Sequence, residues 1–341
     1  MKILIDYQYH FSNNFSDFLF FSELISELSN EENFELITPN SIEETIEKLK
    51  ENQYDIFQAT GNMDYYLTHM SKDKKLVVYI SDMVSEILYN KAEKDINILN
   101  KEIECKAKQI FLADKIITPY IDYKNTIKLL YSKYKDVYSK TEVIQTGLTN
   151  TLIEINDKPI IDKKKHYLVY IGLREGPINV YRFKDFVKNI SQYLIDNDLY
   201  LVSVGKEYSK DEISLFQELH ILQRVLFVTD FSYINNVIKY SKCVIYTSVY
   251  GDVDLSILNV FRLNSIVLLN GENKIYKFIG GDFGCYFEFD NIVHSIDTIL
   301  SLNKEEKDEL KNNQLLRLTE FNIANSSKTL KRIYKYLYES K

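Results

Sequence analysis

Asp252-Val-Asp254 is the pattern in this chain most suited to chemistry, since a D-x-D can chelate Mg²⁺ or Mn²⁺ through its carboxylate oxygens. The pair also opens a helical stretch, where carboxylates complement the positive end of the helix dipole, and capping is the reading adopted. Histidines 10, 69, 166, 220 and 294 are scattered with no ligand spacing between any two, and Cys105, Cys243 and Cys285 form no C-x-x-C. No metal site is therefore assigned, and the cysteines are expected in the core. The chain has no G-x-G-x-x-G after a strand, no G-x-x-x-x-G-K-[ST], no H-E-x-x-H and no G-x-S-x-G. Those absences weigh against dinucleotide oxidoreductases, P-loop ATPases, zinc proteases and α/β-hydrolases. Any site must be assembled from residues distant in sequence.

At 341 residues the chain exceeds one ordinary core, which predicts two domains. Its 45% apolar and 27% charged residues are globular values. There is no long uncharged apolar run and no basic, apolar leader, so a cytoplasmic protein is expected. Residues 1–150 hold 17 Lys and no Arg against 24 Asp and Glu, a balance of −7, whereas the remainder is neutral. An acidic surface repels phosphate backbones, which predicts no nucleic-acid ligand and at most weak peripheral membrane contact.

Short β-branched runs alternate with longer amphipathic stretches, the pattern of parallel sheets covered by helices. Strands are expected at 2–5, 34–37, 55–58, 76–80, 115–118 and 142–144, then at 167–171, 200–204, 225–228, 243–247 and 265–269. Helices are expected at 16–29, with Phe18, Phe21, Leu24, Ile25 and Leu28 on one face, and after a capping box formed by Ser41 and Glu44. In the second half they fall near 180–196, 209–222, 232–241, 252–263 and 304–319. Loss of periodicity around Pro159, followed by a charge run, marks 151–165 as a linker. The reading is α/β, with two Rossmann-like doubly wound domains facing a cleft. Residues 1–150 form the first and 166–324 the second, and a helix over 325–339 returns to the first domain. In that helix Leu330, Ile333, Tyr334, Leu337 and Tyr338 recur at packing intervals.

Several segments sharpen this. MKILIDYQ opens the first half, YDIFQATGNMDYYL precedes KKLVVYISDM, and LADKIITPYIDYKNTI leads to EVIQTGL. In the second half come HYLVYIGLREGPINV, LYLVSVG, the long stretch from VLFVTDF to NSIVLLN, and a closing FNIANSSKTLKRIYKYL. In order and spacing these resemble the GT-B glycosyltransferases, specifically the large retaining family of bacterial mannosyl- and glucosyltransferases. The resemblance implies a nucleotide-sugar donor, a glycan or protein acceptor, and no further cofactor.

It also implies a donor site that has lost its charges. The Arg and Lys that hold the diphosphate fall at Pro177 and Ile178, and the two Glu that meet sugar and ribose fall at Gly251 and Asn259. The sugar-contacting His of the first domain falls at Ser81, although Asp82 remains beside it. The surviving donor-side candidates are Gly172, Arg174, Gly205, Asn259, Asn270 and Gly271, with Asp82, Asp252 and Asp254 the weak catalytic candidates. The expectation is a catalytically degenerate GT-B subunit, partner of an active transferase in glycan assembly. The alternative is an active retaining hexosyltransferase with a rearranged donor site. A sugar-phosphate isomerase on the same layout would need a base near a ring carbon, and nothing at the glycines points to one.

Overall fold

A computed structural model describes residues 1–6, 15–60, 64–81, 83, 96–134, 136–155, 157–172, 174, 182–251 and 254–340. The chain divides into two compact units. The first comprises Met1–Thr149, Asp252–Ser256 and Phe321–Lys341, and the second Asn150–Gly251 and Ile257–Glu320.

The first unit runs β1 (Lys2–Ile5), α1 (Phe15–Ser29), β2 (Glu35–Ile37), α2 (Ile42–Glu51), β3 (Ile56–Thr60), β4 (Lys75–Tyr79), α3 (Ile96–Leu112), β5 (Lys115–Thr118), α4 (Ile121–Leu130), α5 (Val137–Lys140) and β6 (Thr141–Val143). Its six strands pair in the order β2-β1-β3-β4-β5-β6, all parallel. Parallel pairing needs crossover helices on both faces, so the central strands are mostly apolar: Ile3, Leu4, Ile5, Val77 and Val78 are fully buried. On α1 the buried line is Asp17, Phe20, Phe21, Leu24 and Leu28, rotated slightly from the expected stripe, which leaves Phe18 and Ile25 half-buried. Ser41 caps α2 through the Glu44 N–H at 3.1 Å, but the Glu44 carboxylate takes the Asn40 N–H at 2.8 Å, one residue outside the expected box.

Packing also explains the motif glycine before residue 148. A Cβ on Gly147 would lie 2.1 Å from the Phe321 carbonyl oxygen. There the chain leaving β6 runs beside Phe321–Asn322, with the Leu148 N–H donating to Phe321 O at 2.9 Å and the Ile323 N–H to Leu148 O at 3.2 Å. The final helix, which spans Ile323–Glu339, lies in this unit: Leu330, Ile333, Tyr334 and Leu337 are buried, and the Tyr334 hydroxyl donates to Gln58 Oε1 at 3.2 Å. Tyr338, expected on the same stripe, is 43% exposed.

The second unit runs β7 (His166–Ile171), α6 (Phe183–Asp196), β8 (Leu199–Val204), α7 (Lys210–Glu218), β9 (Val225–Val228), α8 (Ile234–Lys239), β10 (Cys243–Tyr246), α9 (Leu255–Arg262), β11 (Val267–Asn270), α10 (Lys274–Gly280), β12 (Cys285–Phe287), α11 (Ile292–Ser301) and α12 (Lys304–Thr319). The strand order is β12-β11-β10-β7-β8-β9, again all parallel. With α13 assigned to the last helix, Ile323–Glu339, the chain holds two doubly wound sheets. The core of the second unit is aromatic: Tyr170 packs on Phe183 at 4.7 Å and Phe186 at 5.9 Å between ring centres. The stretch read as a linker lies along this unit. Asn236 on α8 accepts from the Ile160 N–H at 3.1 Å and donates to Lys158 O at 3.0 Å. Of the cysteines only Cys243 is buried. Cys285, on the short edge strand β12, and Cys105, midway along α3, are half-buried.

Candidate functional site

In the second sheet β7 and β8 wind one way and β10 and β11 the other, so the reversal falls between β7 and β10. In open parallel sheets the ligand crevice lies outside the carboxyl ends of the strands at such a reversal. The residues at those ends are Gly172 after β7, Gly205 after β8, Thr247 and Ser248 after β10, and Asn270 and Gly271 at β11.

Gly172 and Gly205 have φ of +143° and +125°, angles that L side chains rarely adopt. Among the described residues, a Cβ on Gly205 would meet nothing within 4 Å. The Gly205 N–H donates to Val228 O at 2.9 Å.

Asn270 is fully buried and organises the β10 and β11 ends. Its Nδ2 donates to Thr247 O at 3.0 Å and Ser248 O at 3.4 Å, while its Oδ1 accepts from the Glu272 N–H at 3.0 Å. Asn273 repeats the device, donating to Ser248 O at 3.1 Å and capping α10 through the N–H groups of Ile275 and Tyr276. The Gly271 N–H goes to Phe287 O at 2.8 Å. The Gly271 N–H is thus taken by the end of β12, and the Glu272 N–H by the Asn270 side chain.

Arg174 was expected to supply a diphosphate cation, and the structure sets it in a brace. Its Nε donates to Glu212 Oε1 at 2.9 Å, and its Nη2 to Lys206 O at 2.6 Å and Glu207 O at 2.8 Å. The guanidinium lies against the rings of Phe183 and Tyr208, and the pair's side chains are only 6% and 1% exposed. Glu212 also accepts from the Ser209 N–H at 2.7 Å, completing a capping box on α7. Burial pushes the neighbouring Tyr208 phenol up to about 12. Arg174 therefore fastens the turn after β7 to the turn after β8 and the start of α7.

Asn259 on α9, a donor-side candidate from sequence, is 1% exposed and donates from Nδ2 to Asn235 Oδ1 at 2.8 Å, so it lies inside the unit. Asp254 precedes α9 and accepts from the Ser256 N–H at 2.9 Å and the Ser256 hydroxyl at 2.5 Å, the geometry of a cap. Burial, with the like charge of Asp17 adding to it, raises the Asp254 carboxyl above its ordinary range against those two hydrogen bonds. Asp17 itself, buried on α1, accepts from the Ser81 hydroxyl at 2.7 Å. Ser81, at the position where the sequence resemblance implied a His, thus serves a buried carboxylate. Asp82, Asp252, Pro177 and Ile178 lie outside the described residues. Among the described residues no group of His, Cys, Asp and Glu is arranged to hold a metal ion.

Arg182, absent from the sequence reading, stands immediately before α6, the helix that follows β7. Its guanidinium stacks 3.5 Å above the Phe289 ring centre and reaches Asp185 at 3.5 Å and Glu272 at 3.9 Å. These are loose ion pairs at a quarter-exposed side chain, and they place a cation between the helix N-terminus and the Gly271 loop. Its position one residue before an amphipathic helix was the available signal. Glu212 was legible through the Ser209 to Glu212 capping spacing.

No family model matches the chain, and no curated protein matches it. Solved structures do. Sucrose-phosphate synthase from Thermosynechococcus elongatus superposes with a TM-score of 0.72 at 12% identity over 100% of both chains. HepE of Anabaena, in complex with UDP-glucose, gives 0.70 at 14% identity over 98% of this chain and 100% of its own. WaaG, a glycosyltransferase involved in lipopolysaccharide biosynthesis, gives 0.69 at 10% identity over 98% and 99%. The fold is GT-B. Two six-stranded parallel sheets in one GT-B chain match the architecture expected from sequence. Among the described residues no helix is long and apolar enough to cross a membrane.

Proposed function

We propose that this GT-B chain binds a nucleoside diphosphate sugar at the strand ends of its second unit and serves glycan assembly as a catalytically degenerate subunit beside an active transferase. The carrying observation is the fate of the expected charges. The carboxylate positions are occupied by Gly251 and by an Asn259 turned to Asn235, and the one cation expected from sequence, Arg174, is consumed by Glu212. What persists is scaffold: the two left-handed glycine turns and the Asn270–Asn273 loop. HepE, of the same fold, is known with UDP-glucose, which makes that donor the first to test.

In this reading Gly172 and Gly205 let the phosphates approach the backbone, the start of α6 offers its positive end, and Arg182 supplies the cation. A second reading, an active transferase with a rearranged site, is favoured by Arg182 alone. Calorimetric titration with UDP and UDP-glucose tests the proposal. Binding that Arg182→Ala weakens supports it, and no binding of either ligand removes it.

A further inference from the structure

The two sheets end in four edge strands, and three of them are blunted. An unpaired edge invites pairing with another chain, so folded proteins shorten such strands or arm them with charge. On β2 Glu35 is held by Lys2 at 3.0 Å, and on β6 Glu142 lies between Lys115 at 2.9 Å and Arg332 at 2.8 Å. β12 is three residues long. The fourth, β9, reads Val-Leu-Phe-Val, with no charge, no Pro and no break in its register with β8.

β9 also keeps apolar surface in water. Phe227 is 46% exposed and stands edge-on to Tyr208 with ring centres 5.7 Å apart, and Ile213 of α7 and Leu222 before the strand are exposed as well. The carbonyls of Leu226 and Val228 are taken on the β8 side, by the Tyr208 hydroxyl at 2.8 Å and the Gly205 N–H at 2.9 Å. Successive residues of a strand turn their polar backbone groups to opposite edges, so those of Val225, Phe227 and Thr229 face outward. Among the described residues no strand pairs with them.

We infer that β9 pairs antiparallel with β9 of a second copy of this chain, joining two six-stranded sheets across a two-fold axis at Phe227. The charges at the ends of the strand select a second copy over a foreign strand. A two-fold axis normal to the sheet sets one residue opposite its own copy. Centred on Phe227, it places Val225 opposite Thr229 and Arg224 opposite Asp230, each of them twice. Phe227 and the Val225–Thr229 pairs then exchange backbone hydrogen bonds. Arg224 and Asp230 fall at non-hydrogen-bonded positions, where facing side chains lie closest. Among the described residues Arg224 bonds only through Nη1, to Asp198 at 2.8 Å, which leaves Nε and Nη2 for the second copy. Asp230 is exposed and extended, with φ −86° and ψ 108°, and its carboxylate accepts from the Ser232 N–H at 2.8 Å. The contact is one strand and its flanks, well short of a permanent interface, so the dimer is reversible and grows with concentration.

Sedimentation equilibrium of the full chain over a concentration series tests this, and the mass should rise from that of one chain toward that of two. Arg224→Asp and Asp230→Arg should each weaken the dimer about tenfold, because two attractive cross-strand pairs become repulsive. Mixed together, these two variants should recover association, since each then meets the opposite charge at both ends of the strand. Phe227→Lys should leave a monomer. Circular dichroism checks that each variant folds, and recovery on mixing is an outcome that misfolded chains do not give. A wild-type chain that stays monomeric at every concentration would overturn the inference. So would a dimer that neither charge variant weakens, or charge variants that weaken it and do not recover on mixing. A monomer whose Phe227 edge is covered by a different protein would assign the strand to another partner and overturn it as well.

Discussion

Arg174 and Glu212 form an ion pair at 2.9 Å, with both side chains almost wholly withdrawn from water and their remaining polar atoms turned to the backbone of residues 206, 207 and 209. A buried pair of this kind is costly to break and not especially costly to replace, because the attraction is offset by desolvation of both ions. Arg174→Ala should therefore destabilise the second unit by about 3–5 kcal/mol through the orphaned Glu212 carboxylate. Arg174→Met with Glu212→Leu should recover most of that loss. Urea unfolding of the three proteins reads the difference. A diphosphate ligand, not a brace, would instead leave stability unchanged in Arg174→Ala and lower affinity alone.

Asp254 gives a pH dependence of defined sign. Its folded carboxyl titrates above the ordinary range, chiefly from burial and then from Asp17. Its protonated form is therefore favoured by folding, and the stability this contributes is present at acid pH and lost as pH rises through the raised value. Asp254→Asn should flatten that decline in a series of melting curves across the carboxylate range and leave the neutral form more stable than wild type. A wild-type profile that instead rises with pH there, and loses the rise in Asp254→Asn, would contradict the assignment.

Gly147 passes too close to Phe321 to admit a side chain. Gly147→Ala should displace the Leu148–Asn322 bridge and loosen the final helix, at a cost of the order of an overpacked core substitution, about 1–3 kcal/mol. Hydrogen exchange over residues 323–339 should rise in this variant. Gly251→Ala is the control, since among the described residues a Cβ there finds only Asn273 Nδ2, at 3.9 Å, and should change little.

Much of this fold was legible because parallel strands buried on both faces read as unbroken apolar runs: β1 and β5 fall at their expected limits. Cys285–Phe287 was not read from sequence, and with it went the flanking helices α10 and α11. Site residues were harder. Sequence marks Gly172 and Gly205 because strand-end turns need glycine, whereas the fate of a charge depends on partners far along the chain. Arg174 meets Glu212 across 38 positions and Asn259 meets Asn235 across 24, so both looked available until the tertiary pairing was known.

We propose that this GT-B chain keeps a nucleotide scaffold without the charges for sugar transfer. Its most direct test is release of UDP from UDP-glucose by the purified, partner-free chain, measured alongside calorimetric UDP binding with and without acceptor glycans. UDP binding that Arg182→Ala weakens is expected, with no release above the spontaneous rate. Enzyme-dependent release that disappears in Arg182→Ala or Asp254→Asn, in proteins that still fold, would contradict it.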